Sequence, residues 1–129
     1  MEKRDYIKYW VTTAEADLDA MESVFMAGRY DWSLFIGHLA LEKILKAVWV
    51  KNNESDIPPK IHNLKKIADE ANYSLTAEEA LLLLEINDFN LEVRYPDYKY
   101  DFYKKCTKEF AEGYIAKIKE MFECILKQM

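Results

Sequence analysis

The sequence is poor in glycine and proline, with 3 of each among 129 residues. Sheet-rich domains need many such turn residues, so their scarcity argues against a β-sandwich and against a low-complexity linker. It also excludes the glycine-rich loops that bind phosphate in P-loop and dinucleotide-binding proteins. No apolar run reaches the length of a membrane-spanning helix, and no N-terminal stretch resembles a signal peptide. We therefore expect a cytoplasmic protein without a membrane segment.

Cysteine and histidine are scarcer still, with 2 of each. Cys106 and Cys124 are predicted to be core thiols that lie too far apart on one continuous C-terminal helix to form a disulfide. His38 and His62 fall on different predicted helices and form neither an H-E-x-x-H motif nor a Cys/His cluster. We expect neither a metal site nor a cofactor.

Apolar side chains, which make up 50% of the chain, recur at three- and four-residue steps typical of amphipathic helices. The pattern predicts one all-α domain over residues 1–129. Its predicted helices are 3–27, 31–52, 61–71, 76–93 and 102–127, which makes about five.

Residues typical of helix caps and helix breaks lie at several of these predicted ends. Gly28 is a predicted C-cap, Asp31 a predicted N-cap, and Thr76 with Glu79 has the spacing of a capping box. Pro96 is expected to end the fourth helix, because proline disfavours a helical conformation in the residue before it.

The second predicted helix is apolar around most of its circumference, which indicates a central helix. Its main polar stripe consists of His38, Glu42 and Lys46, and such a stripe is costly on a central helix unless its members are solvated or paired. Gly37 lies within the helix and is compatible with close helix–helix approach or with a tolerated surface glycine.

A tyrosine-rich connector is predicted after the fourth helix, beginning at Arg94. An arginine there can hold a phosphate, and neighbouring tyrosine rings can stack on bases. The alternative is a packed connector in which Arg94 pairs with Asp88 or Asp97, or with Glu42 of the second helix. The candidate ligand site comprises Arg94, Tyr95, Asp97 and Asp88, with His38, Glu42 and Lys46 as its floor.

Four stretches in this order resemble the HEPN domain (higher eukaryotes and prokaryotes nucleotide-binding). They are Ala16-Asp-Leu18, His38-Leu-Ala-Leu-Glu-Lys-Ile-Leu-Lys-Ala47, His62-Asn-Leu64 and Arg94-Tyr-Pro96. The resemblance covers nearly the whole chain and implies an up-and-down bundle of about five helices. It also implies a homodimer and, in prokaryotes, a minimal nucleotidyltransferase protein as partner, as in a toxin–antitoxin-like pair.

The chain departs from the nuclease members of that family, which carry a histidine four to six residues beyond an arginine. After Arg94 those positions hold Lys99, Tyr100 and Asp101. The histidine that would serve as general acid or base in metal-independent RNA cleavage is therefore missing. The chain resembles instead the branch with Arg-Tyr-Pro, whose inferred role is binding.

Three functions remain open on this sequence. The first is a non-catalytic module that binds a nucleotide or RNA, or its nucleotidyltransferase partner. The second is a ribonuclease with a divergent site that uses Arg94 with His38 or His62, and the third is a purely structural interaction protein. The net charge of −5 argues against attraction of nucleic acid by the whole surface. Residues 99–129 carry a net charge of +2, which fits either an acidic partner or a solvated helix.

Overall fold

The computed structural model describes residues 1–95 and 101–129 in full and residues 96–100 by their backbone alone. The helices are α1 (Lys3–Met26), α2 (Tyr30–Asn52), α3 (Leu64–Glu70), α4 (Ala77–Arg94), α5 (Pro96–Lys105) and α6 (Lys108–Gln128). The backbone described contains no strand, so the predicted all-α class is confirmed, as a helical bundle. Among the described residues, no helix is both long enough and apolar enough to cross a membrane.

The central position predicted for α2 is confirmed, because this helix contacts each of the other five. Gly37 lies where side chains of two neighbouring helices pack onto α2. A Cβ atom there would lie 2.7 Å from Ile118 of α6 and 2.9 Å from Met21 of α1. The lack of a Cβ therefore leaves room for side chains of α1 and α6 to pack against the backbone of α2. The interpretation of Gly37 as a surface glycine is wrong.

The sixth helix is the main difference from the predicted five. The stretch expected to be a connector forms α5, because Pro96 lacks an N–H and its fixed φ suits the first turn of a helix. A new helix then begins at Lys108, where the Thr107 side chain accepts a hydrogen bond from the Phe110 backbone N–H at 3.2 Å.

This break corrects the description of the cysteines. Cys106 caps α5 and Cys124 belongs to α6, so the two do not share one continuous helix. Both thiols are free, but only Cys106 is buried, and the prediction of a core position for Cys124 is wrong. Burial and the nearby carboxylate of Asp31 raise the pKa of Cys106 to about 12, so its thiol stays protonated.

Most predicted helix ends are confirmed. Gly28 has φ +80° immediately after α1, and Thr76 and Glu79 form the capping box of α4. Asp31 is not the N-cap of α2, however. The Arg29 carbonyl already accepts a helical hydrogen bond from the Ser33 N–H at 2.9 Å, so the helix begins before Asp31.

The segment between α2 and α3 is held in place by Lys3 of α1. Its ammonium donates hydrogen bonds to the carbonyl oxygens of Val50 and Asn53, each at 2.8 Å, and forms an ion pair with Asp56 at 2.9 Å. These contacts satisfy carbonyl groups at the end of α2 and fix the path of the following loop. We call this arrangement the Lys3 clamp.

Candidate functional site

The polar stripe of α2 lies inside the molecule. His38, Glu42 and Lys46 follow one another at four-residue steps, so they share one face of the helix. Their exposed fractions are 0%, 6% and 6%. Each of the three has a partner, which meets the condition under which a central helix tolerates such a stripe.

His38 joins α2 to the residues before α3 and to α4. Its Nε2 lies 3.0 Å from the carbonyl oxygen of His62, and its Nδ1 lies 3.3 Å from the side-chain nitrogen of Asn90. A carbonyl group only accepts, so Nε2 carries the proton and Nδ1 accepts from the amide. Burial lowers the pKa of His38 to about 4, although Glu42 opposes this shift. His38 is thus a neutral structural bridge with both ring nitrogens engaged.

Glu42 connects the stripe to the surface. One carboxylate oxygen accepts from Nδ1 of His62 at 2.9 Å, and the other accepts from the Lys46 ammonium at 3.1 Å. The Glu42 side chain is 9% exposed, whereas that of His62 is 63% exposed. Among the described residues, nothing hydrogen-bonds to the other ring nitrogen of His62. A buried carboxylate therefore orients an accessible imidazole.

Lys46 ends the stripe on the side of α1. Its ammonium lies 5.7 Å from the centre of the Trp10 ring, within the range of a cation–π contact. The charge is balanced by Glu42, so the buried cation and carboxylate form a compensated pair.

Arg94 and Tyr95 lie together at the end of α4, and both are exposed. The Nε of Arg94 donates to the backbone carbonyl of Asn90 at 3.1 Å, and its guanidinium carbon lies 5.9 Å from the Tyr95 ring centre. Neither Asp88 nor Glu42 forms an ion pair with Arg94, so the alternative of those two pairings is wrong. Asp97 lies outside the residues with described side chains.

The predicted site residues therefore fall into two groups. Arg94, Tyr95 and Asp88 lie on the surface, whereas the stripe of α2 is buried below it. Asn90 links the groups, since its side chain reaches His38 and its carbonyl oxygen holds Arg94. Asn90 was not predicted to belong to any site, and His62 was predicted only as a candidate for the divergent ribonuclease site, not for the ligand site. The four-residue step from Asn90 to Arg94 was a usable signal, but the contact of His62 with Glu42 depends on the loop path.

The described residues contain no group of three or more histidine, cysteine, aspartate or glutamate side chains arranged to hold a metal ion. The functional groups that the site offers are the exposed guanidinium of Arg94 beside the phenol ring of Tyr95, and the imidazole of His62 that Glu42 orients. The first pair suits an anionic ligand with a planar part.

Comparison with known proteins identifies the family. The HEPN domain matches residues 7–129, which is essentially the whole chain. No curated protein and no solved structure matches the chain at the threshold of the search. Since the match extends from α1 to the end of α6, the expectation drawn from the ordered stretches of sequence is confirmed, and the chain belongs to the HEPN domain family.

Proposed function

We propose that this chain is a non-catalytic HEPN module that binds a nucleotide at the end of α4. The observation that carries the proposal is the state of Arg94. Its side chain is exposed, its Nε donates to the Asn90 carbonyl, and among the described residues the remaining guanidinium N–H groups have no hydrogen-bond or ion-pair partner. Those groups match the geometry of phosphate oxygens.

Tyr95 would supply the second half of the site. The residue is 51% exposed and its ring adjoins the guanidinium, so a base can stack on the ring while Arg94 holds the phosphate. The buried stripe of α2 positions this end of α4 through the contact between His38 and Asn90. Asp88, exposed on the same helix, is the carboxylate proposed to orient a ribose hydroxyl. Asp97 is retained in the proposal on the sequence alone.

Calorimetric titration tests this site. ATP, AMP and a short RNA are titrated into the wild type, into Arg94→Ala and into the control Arg29→Ala, which removes an exposed arginine between α1 and α2. Arg94→Ala is expected to weaken binding by about 1–3 kcal/mol, whereas the control binds like the wild type. If no ligand gives heat, the nucleotide proposal fails and a role in protein interaction alone is left.

A homodimer is part of the proposal, and the exposed face of α4 supports it. Leu81, Leu84 and Leu91 are 60%, 50% and 46% exposed and lie on one face of the helix. A row of leucines in water is typical of an association surface, and it leads along α4 toward Tyr95.

Light scattering tests the dimer. The wild type is expected at twice the monomer mass of 15.3 kDa, and Leu84→Glu is expected to shift it to the monomer. Met26→Glu is the control, because Met26 is 81% exposed at the end of α1. A wild type that is monomeric at micromolar concentration contradicts the proposal.

A minimal nucleotidyltransferase is the proposed protein partner, in a toxin–antitoxin-like pair. The support is the family itself together with the Arg-Tyr-Pro sequence from Arg94 to Pro96. The test is gel filtration of this chain mixed with the product of a short nucleotidyltransferase reading frame next to its own. Separate elution at micromolar concentration would reject the pair.

A second candidate function is metal-independent RNA cleavage, and His62 is the observation in its favour. Its exposed ring is oriented by Glu42 through a 2.9 Å hydrogen bond, an arrangement that suits a general base. We expect no cleavage, since the arginine–histidine motif of the nuclease members is missing. Cleavage in the presence of a chelator that disappears in His62→Gln would establish the second function and displace the first.

A further inference from the structure

A cavity of about 380 Å³ opens between the first turns of α1 and the segment of residues 56–60. Its walls include the rings of Tyr6, Tyr9 and Trp10 on one side and Pro58 and Pro59 on the other. The volume is that of an ordinary small-molecule site. The cavity is separate from the Arg94 site, since its lining contains no residue of α4.

The cavity is preformed, because both walls are fixed by the protein itself. The Lys3 clamp ties the segment before the prolines to the end of α2 and to α1. The two consecutive prolines then restrict the backbone of the outer wall. On the inner wall, Tyr9 and Trp10 lie edge to face with ring centres 5.4 Å apart. A ligand would find these surfaces already in place, which lowers the entropic cost of binding.

Lys46 gives the cavity a buried donor group. The other charged residues of the lining are Asp56, which is paired with Lys3, and Lys60, which is exposed. The Lys46 ammonium has three donor protons, and among the described residues its only hydrogen bond goes to Glu42 at 3.1 Å. Lys46 lines the cavity and is 6% exposed, so its remaining donors lie where bulk solvent has little access. A buried donor without an acceptor is costly, and a ligand acceptor would remove that cost.

We propose that this cavity binds a nucleobase bearing a keto oxygen, with the ring against Tyr9 and Trp10 and the oxygen accepting from Lys46. Aromatic walls favour a planar ring, since every base has a face that stacks. Lysine only donates, so it favours the keto oxygens of guanine, hypoxanthine or uracil over the amino groups of adenine and cytosine. This site does not depend on Arg94, and it would hold a base whether or not the first site holds a nucleotide.

Two pairs of nucleosides test the proposal, because each pair differs mainly in a keto or an amino group. Inosine is compared with adenosine, and uridine with cytidine, in nuclear magnetic resonance titrations. The indole N–H signals of Trp10, Trp32 and Trp49 are followed, with Trp10→Phe used for assignment. The Trp10 signal is expected to move with inosine and uridine, at about tenfold lower concentrations than with adenosine and cytidine. Trp32 and Trp49 lie outside the cavity lining and serve as internal references.

Variants separate the acceptor contact from the stacking contact. Lys46→Met is expected to abolish the preference for keto bases, and Lys43→Met, whose lysine pairs with Asp17, is its control. Tyr9→Ala is expected to weaken all four nucleosides, and it keeps the test valid if Lys46→Met does not fold, since Tyr9 is 56% exposed. Its control is Tyr103→Ala.

Three results would overturn the proposal. They are a Trp10 signal that no nucleoside moves, equal movement with all four nucleosides, and equal movement of all three indole signals. Arg94→Ala is expected to leave these titrations unchanged. A loss in Arg94→Ala would show that the nucleoside binds at the end of α4, and the separate cavity site would then be rejected.

Discussion

The two cations at opposite ends of the polar network have contrasting surroundings. Lys46 is buried, is paired with Glu42 at 3.1 Å and lies against the Trp10 ring. Arg94 is exposed and is engaged by the Asn90 carbonyl and the Tyr95 ring. The first cation is bound into the packing of α1 against α2, whereas the second is exposed, and among the described residues only its Nε is hydrogen-bonded.

This contrast separates stability from binding. A buried ion pair costs desolvation of both charges, so removing one partner leaves the other uncompensated. The charge of an exposed arginine stays solvated, so removing that side chain does not leave a buried charge without its partner. The two ends should therefore respond to mutation in opposite ways.

The largest effect is expected for Glu42→Ala. The variant leaves the Lys46 ammonium buried without its carboxylate and removes the partner of His62 Nδ1. We expect the free energy of unfolding to fall by about 3–5 kcal/mol, measured by urea denaturation at pH 7. Glu112→Ala, at an exposed position of α6, is the control and should change it by less than about 0.5 kcal/mol. A loss below about 1 kcal/mol for Glu42→Ala would mean that the network contributes little.

Apolar positions on the same helix provide the next comparison. Ile44 is fully buried in the core, so Ile44→Ala should lower the free energy of unfolding by about 2–5 kcal/mol. Leu39 is half-buried, and Leu39→Ala should cost less. Equal losses in urea denaturation would show that both faces of α2 are equally packed.

His38 makes the buried half of the network sensitive to acid. Burial lowers its pKa from 6.5 to about 4, so the unfolded chain binds a proton between these values and the folded protein does not. The contribution of His38 to stability is therefore fully present above pH 6.5 and is lost as the pH falls toward 4, by about 3 kcal/mol. The titratable side chains that act on the charge of this ring are Glu42, which raises its pKa, and His62, which lowers it.

The measurement is urea denaturation from pH 7 to pH 4 for the wild type and for His38→Gln. The variant cannot take up this proton, so its stability should decline less over the interval. If the free energy of unfolding falls equally with pH in both proteins, the pKa of His38 does not differ between the folded and the unfolded state.

Helices with a strong apolar periodicity could be predicted from the sequence. Features that depend on tertiary contacts could not. The apolar circumference of α2 predicted its central place, and the spacing of Thr76 and Glu79 predicted the start of α4. Helix α5 was missed because its tyrosines and charges show no clear apolar stripe. Pro96 was interpreted as the end of one helix, although it also begins the next.

For the candidate site, the sequence predicted residues on individual helices but not the contacts that join them. The four-residue steps of the α2 stripe and the position of Arg94 were evident in the sequence. The burial of the stripe and the contact of His62 with Glu42 depend on a loop whose path is fixed by Lys3, 59 residues before His62 in the chain. Local spacing contains no information on such a contact.

The smallest effect on stability is expected for Arg94→Ala, and this variant sharpens the contrast most. Among the described residues, the Arg94 side chain makes one hydrogen bond to a carbonyl of its own helix and one contact with the exposed Tyr95 ring. We expect the free energy of unfolding to change by at most about 1 kcal/mol, although nucleotide binding weakens. Arg94→Lys keeps the charge but loses the planar fork, so it should bind ATP more weakly than the wild type at unchanged stability. A loss of stability above about 2 kcal/mol in urea denaturation would give Arg94 the structural role that this comparison assigns to Lys46.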